Sequence, residues 1–139
     1  MRISFSVISA VILLIASVYA NALEVVTHPS NKIDFLSIST LRSIFSMRMT
    51  QWPDGTPIRV FVMGDKEPLH AEFSKQVLGV FPHQLRRAWN RQIYSGTGQA
   101  PAKVNSEAEM LRMIEATPGA IGYLSGKQPN ENIRVIEIE

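Results

Sequence analysis

The sequence predicts an α/β fold, a small mixed or parallel sheet of about four strands flanked by helices. Three observations carry that expectation. Short runs rich in β-branched and apolar residues, Leu23 to His28, Ile58 to Met63, Ala120 to Leu124 and Ile133 to Ile138, alternate along the chain with segments of helical periodicity. Clusters of Pro, Gly, Asp and Asn punctuate almost every change of periodicity. No internal repeat, low-complexity tract or linker interrupts the succession, so residues 23–139 read as one domain.

The chain opens on a different kind of segment. Met1-Arg2 is a positive start, Ile3 to Tyr19 is apolar apart from serines, and Ala20-Asn21-Ala22 offers small residues where a leader is cut. Residues 1–22 are therefore expected to be a secretory signal peptide, cleaved after Ala22, which implies a periplasmic protein without stable membrane insertion. Leu23 to His28, closed by Pro29, is the first strand. Ser39 or Thr40 is expected to cap a helix reaching about Met47, with Leu41, Ile44 and Phe45 on its buried side. Trp52-Pro53-Asp54-Gly55-Thr56-Pro57 reverses the chain into the strand Ile58 to Met63. Pro68 suits the first turn of a helix that buries Leu69, Phe73, Gln76-Val77 and Val80. Gly79 to Pro82 breaks that helix. Pro82 starts another, to about Tyr94, with Leu85, Trp89 and Ile93 one turn apart. Ser106 and Glu109 form a capping box ahead of Met110, Leu111 and Ile114. Thr117-Pro118-Gly119 then turns the chain into Ala120 to Leu124, where Gly122 leaves one face of a strand bare. The strictly alternating run Ile133 to Ile138 is a strand solvated on one side.

Composition narrows the function classes. There are 14 basic residues, one of them Arg2 in the leader, against 12 acidic ones, so the exported chain is nearly neutral and no nucleic-acid partner is expected. Cysteine is absent, which excludes disulfides, thiolate metal sites and thiol nucleophiles. His28, His70 and His83 lack the short spacings that place two metal ligands on one face, and each reads as a surface or cap residue. No Gly-x-Ser-x-Gly elbow occurs. Catalytic residues, metal and cofactor are accordingly expected to be none.

Anion binding has more behind it. No acidic residue lies between Glu72 and Glu107, whereas Lys75, Arg86, Arg87, Arg91 and Lys103 are basic. The turn Ser95-Gly96-Thr97-Gly98 follows, whose glycines are able to aim successive N–H groups at an anion. With the Ser30-Asn31 loop, these make the candidate contacts Ser30, Asn31, Arg86, Ser95, Gly96, Thr97 and Gly98. The arginines together with Trp89 and Tyr94 equally suit a protein-docking patch.

A strand ending in His-Pro-Ser, then Leu41-Arg42-Ser43-Ile44-Phe45 with Trp52-Pro53-Asp54-Gly55, then Thr117-Pro118-Gly119-Ala120-Ile121-Gly122-Tyr123, resembles the phosphate-binding periplasmic proteins of ABC transporters, and more closely their small single-domain relatives. The resemblance implies a single-lobe type 2 periplasmic-binding-protein-like domain, an export signal, no enzymatic activity, and a membrane transporter or sensor as partner. In the family a loop of the form Arg-Ser-Asp-Gly-Ser-Gly-Thr-Thr holds phosphate. With the family's following Phe set on Phe73, those positions fall on Met63 through His70, and only Asp65 survives. Asp65 thereby joins the candidate contacts, but the phosphate-type loop is not retained. Glu67 replaces a hydroxyl, and a carboxylate about 4 Å from a bound anion costs roughly 1 to 4 kcal/mol at surface dielectrics. Two functions follow as expectations: an exported, non-enzymatic binder of a small anion in transport or sensing, or an envelope interaction module with no small ligand.

Overall fold

The computed structural model describes residues 23–96, 98–126 and 132–139. The expected leader, residues 1–22, and Thr97 lie outside the described residues. The element order is β1 (Leu23–Thr27), β2 (Phe35–Leu36), α1 (Ile38–Phe45), β3 (Arg59–Val62), α2 (Pro68–Glu72), α3 (Pro82–Tyr94), β4 (Ala102–Lys103), α4 (Glu107–Ala116), β5 (Ala120–Ser125) and β6 (Arg134–Ile138). The α/β class holds, but the sheet has six strands rather than four, in the order β2-β6-β1-β5-β3-β4. The two additional strands, β2 and β4, have two residues each, too few for alternation to register in a sequence. β1 runs antiparallel to both β5 and β6, while β3 lies parallel to β5 and to β4, so the sheet is mixed. Among the described residues no helix is long and apolar enough to cross a membrane.

Helix boundaries follow the caps. Ser37, not Ser39 or Thr40, caps α1 by accepting the Thr40 N–H at 3.1 Å. Three hydroxyl residues within four positions left the choice to tertiary packing. Ser106 caps α4 as its spacing required, accepting the Glu109 N–H, while the Glu109 carboxylate returns to the Asn105 N–H. Pro68 and Pro82 occupy the first turns of α2 and α3.

The helix begun at Pro68 departs from expectation. From Phe73 to Leu78 it widens into a π-helical segment, ended by Gly79 at φ 71°, whose N–H reaches the Ser74 carbonyl. The extra residue per turn rotates the buried face. His70, Phe73, Ser74 and Leu78 are buried, Leu69, Val77 and Val80 pack half-buried against the core, and of the expected stripe only Gln76 is exposed. In α3, Leu85 and Trp89 are buried, but Ile93 is exposed because the helix has run past the core.

The core joins these layers. Phe73 stacks on Tyr123 at 4.2 Å between ring centroids, and Phe45 meets Phe73 at 4.7 Å. Trp89 donates its indole N–H to the Phe45 carbonyl, fixing α3 against α1. The bare face of Gly122 belongs to packing: a Cβ there would lie 2.6 Å from Met110 Sδ and 2.8 Å from Ile114 Cδ1, so α4 fills the space. Gly119, at φ 80°, is more tightly held, with the Pro57 carbonyl oxygen 2.3 Å from where its Cβ would stand. Its own carbonyl accepts from the Trp52 indole and from the Arg59 N–H, both at 3.0 Å. The Trp-Pro-Asp-Gly turn and the Pro-Gly-Ala-Ile-Gly-Tyr strand, distant in sequence, are one contact.

Candidate functional site

β3 leaves the sheet at Val62, and the polar loop Gly64 to Glu67 that follows forms one wall of an open cleft of about 580 Å³. Arg86 and Asn90 of α3 form the second wall, and β4 with Asn105 the third. β4 is brought there by parallel pairing with β3, Val62 opposite Lys103, continued by Val104 N–H to the Val62 carbonyl at 2.9 Å. The Lys103 side chain crosses over Gly64: a Cβ on that glycine would sit 3.1 Å from Lys103 Cε and 3.3 Å from Nζ. The cleft therefore collects three cations, Lys66, Arg86 and Lys103, and two carboxylates, Asp65 and Glu67. Arg86 Nη1 pairs with Asp65 Oδ2, so one carboxylate is neutralised within the site.

Beneath the loop lies a sealed chain of polar groups. The Tyr123 hydroxyl accepts the Met63 N–H at 2.8 Å and lies 2.5 Å from His70 Nδ1. With the hydroxyl proton given to Nδ1, the neutral imidazole carries its own proton on Nε2. Nε2 has no hydrogen-bond partner and stands 3.9 Å from Asp65 Oδ1. Burial pushes the His70 imidazole below its ordinary value, with the Asp65 carboxylate pulling partly back. Burial likewise raises the Tyr123 phenol, against the Met63 N–H. The reading of His70 as a surface or cap residue is thus overturned: it is fully buried, on the side of α2 that faces Tyr123 beneath the loop. With both rings out of contact with solvent, the arrangement buttresses the loop.

Of the expected contacts, the structure brings together Asp65 and Arg86. Ser30 and Asn31 follow the end of β1, where Thr27 pairs with Ile121 beside the start of β3, at the opposite end of the sheet. Ser30 is occupied with the His28 ring, and the buried Asn31 Oδ1 accepts the Ile33 N–H. The turn after α3 also lies towards the start of β3, with Gly96 and Gly98 bordering a hollow beside Pro57 and Arg59. Its glycine amides are already bonded. Gly96 N–H bonds the Ile93 carbonyl and Gly98 N–H the Gln92 carbonyl, both at 3.1 Å, and Ser95 Oγ bonds the same Gln92 oxygen. They finish the helix rather than form an anion nest. The docking patch loses Trp89, which is buried, while Tyr94 is 88% exposed. Reading by residue type missed Asn90 and Asn105, since only the strand pairing of β4 places Asn105 at the cleft.

A family model described as a PBP superfamily domain matches residues 15–134. The chain belongs to the PBP superfamily. Solved structures agree in fold. A substrate-binding protein of a phosphate ABC transporter from Clostridium perfringens, with bound phosphate, superposes at TM-score 0.67 and 16% identity, over 85% of this chain and 45% of that one. PstS from Borrelia burgdorferi gives 0.66 and 18%, over 85% and 47%. An ABC-type phosphate transport receptor from Vibrio cholerae gives 0.65 and 17%, over 85% and 46%. This PBP chain thus spans under half the length of these relatives and corresponds to a single lobe. No curated protein matches it.

Proposed function

We propose that this PBP lobe is an exported, non-enzymatic solute-binding domain whose cleft at the end of β3 holds a small anion. The observation that carries the reading is the charge arrangement there. Lys66 and Lys103 face the cleft unpaired by any salt bridge among the described residues, while Asp65, the carboxylate nearest Arg86, is already satisfied. Glu67 and Pro68 separate the site from a phosphate-type loop. Pro68 supplies no N–H at the first turn of α2, and the Glu67 side chain makes no capping bond. The ligand is therefore held by ammonium and guanidinium groups more than by a helix N-terminus, which favours a weakly bound carboxylate or oxyanion over tightly held phosphate. The relatives described as phosphate transport proteins support a role in transport or sensing, with a membrane transporter or sensor as partner. Residues 1–22 serve as the export leader, leaving residues 23–139 as the periplasmic domain.

Calorimetry with phosphate, sulfate and small carboxylates tests this. Heat is expected with at least one of them, falling about tenfold in affinity in Lys103→Gln. The cleft's share of the heat is expected to vanish in Arg86→Ala, which leaves Asp65 as a bare negative charge there. Absence of heat with every anion refutes the reading. Export is checked by the mass of the protein recovered from the periplasm, expected to start at Leu23.

A further inference from the structure

A second cationic groove, of about 300 Å³, lies between α1 and α3 and shares no lining residue with the cleft at β3. Ser39, Arg42 and the half-buried Ser43 of α1 line it together with Ser46 at the helix's end, away from the buried Leu41, Ile44 and Phe45. Arg48 closes one end, and Gln84, Ala88 and Arg91, one helical turn apart, form the wall on α3. The two chain segments that build it, residues 35–53 and 73–106, contain no acidic residue at all. Three guanidinium groups therefore share the groove with no carboxylate among its lining, and none of the three has a salt-bridge partner among the described residues.

The groove is held open by the fold. Trp89 N–H bonds the Phe45 carbonyl, tying together the two helices that flank it. Arg42 Nε donates to the Leu78 carbonyl at 2.5 Å, at the end of the π-helical segment. Gly79 leaves room for that guanidinium: a Cβ there would stand 3.1 Å from Arg42 Nη2. Arg42 is thus tied to the backbone through Nε, and its terminal nitrogens carry the donors left for a ligand. A widened helical turn ending in a left-handed glycine is a costly way to place one arginine, and such segments often mark functional sites.

We propose that this groove is a binding site for a phosphate group, separate from the cleft at β3. Arg42, Arg48 and Arg91 present planar forks suited to tetrahedral oxyanions, and the Ser39, Ser43 and Ser46 hydroxyls add rotatable donors. In the unbound state Ser43 and Ser46 spend those donors on backbone carbonyls of their own helix, at 3.2 and 3.3 Å, and turning them costs only weak bonds. The phosphate belongs either to a free anion or to the headgroup of an anionic lipid. Because the groove is exposed, binding is salt-sensitive.

The test is nitrogen-15 NMR of the arginine Nε–H groups and backbone amides during titration with inorganic phosphate, beside co-sedimentation with phosphatidylglycerol and phosphatidylcholine vesicles. Arg42 is left intact because it also caps Leu78; the variant is Arg48→Gln with Arg91→Gln. Saturable shifts at Arg48, Arg91 and Ser43 with phosphate, weakened at least tenfold in the double variant and kept in Lys103→Gln, assign a free-anion site. Sedimentation with phosphatidylglycerol vesicles alone, lost in the double variant, assigns a headgroup. Response to neither probe, response unchanged in the double variant, or phosphate shifts confined to Gly64–Glu67 and Lys103 overturns the proposal. Weakened binding at the cleft in Lys103→Gln leaves the groove's response untouched, so the two sites fail independently.

Discussion

The two ends of β3 are built on opposite plans. At its start, Arg59 N–H bonds the Gly119 carbonyl, Trp52 seals the same oxygen, and a Cβ on Gly119 would run into backbone. At its end, Met63 N–H bonds a side-chain hydroxyl, the following residues are polar, and a Cβ on Gly64 would meet only the flexible end of Lys103. The same residue type thus has two meanings at the two ends of one strand. Where backbone stands behind the glycine, the chain is locked; where a lysine tail does, it stays open to solvent and to a ligand.

The sharpest way to break this contrast is at the closed end. Gly119→Ala combines a positive φ with an overlap against a carbonyl that has nowhere to go, so a loss of about 3 kcal/mol is expected, read as a drop in denaturation midpoint. Gly122→Val is expected to cost about 2 kcal/mol, since Met110 is flexible enough to yield where Ile114 is not. Ligand preference should survive it. A Gly122→Val protein of unchanged stability that had lost binding would move this strand into the site.

Between the two ends sits the buried Met63–Tyr123–His70 chain. Tyr123→Phe strips the hydroxyl from the Met63 N–H and from His70 Nδ1 and leaves both unpaired, for a loss of about 2 kcal/mol in urea unfolding. His70 also gives the fold a pH signature. Its folded value lies below the ordinary 6.5, so the unfolded chain takes up a proton that the native state refuses. Stability is therefore full above that value and falls as pH drops through the window beneath it. Thermal midpoints at about pH 5 are expected to lie below those at about pH 7.5, after allowance for the carboxylates. A flat profile would mean that His70 titrates freely.

The smallest effect on stability belongs to the open end. Gly64→Ala should cost under about 1 kcal/mol, because Lys103 can swing aside. Displacing that ammonium should nevertheless weaken any anion bound in the cleft severalfold in calorimetry. A large stability loss instead would show the two ends to be alike.

Much of the fold was legible in residue order because its signals are local. Prolines at helix starts, the Ser106–Glu109 box, the Pro118-Gly119 turn and the alternation of β6 each act within a few residues, and each appears where the pattern put it. The site was legible only in part. Asp65 and Arg86 are 21 positions apart and meet because α3 folds back over the loop, whereas the glycines of the Ser95–Gly98 turn looked like an anion nest until their amides proved to be spent on α3.

By itself, then, the sequence determined the α/β class, the starts of α2, α3 and α4 and the need for glycine in the turn before β5, since those depend on backbone chemistry and nearest neighbours. The tertiary structure alone decided that His70 is buried, that Lys103 reaches the cleft and that three arginines from two helices share a groove. The reason is physical. A widened turn in one helix and two-residue strands at the sheet's margins are set by packing between distant segments, and no local periodicity records them.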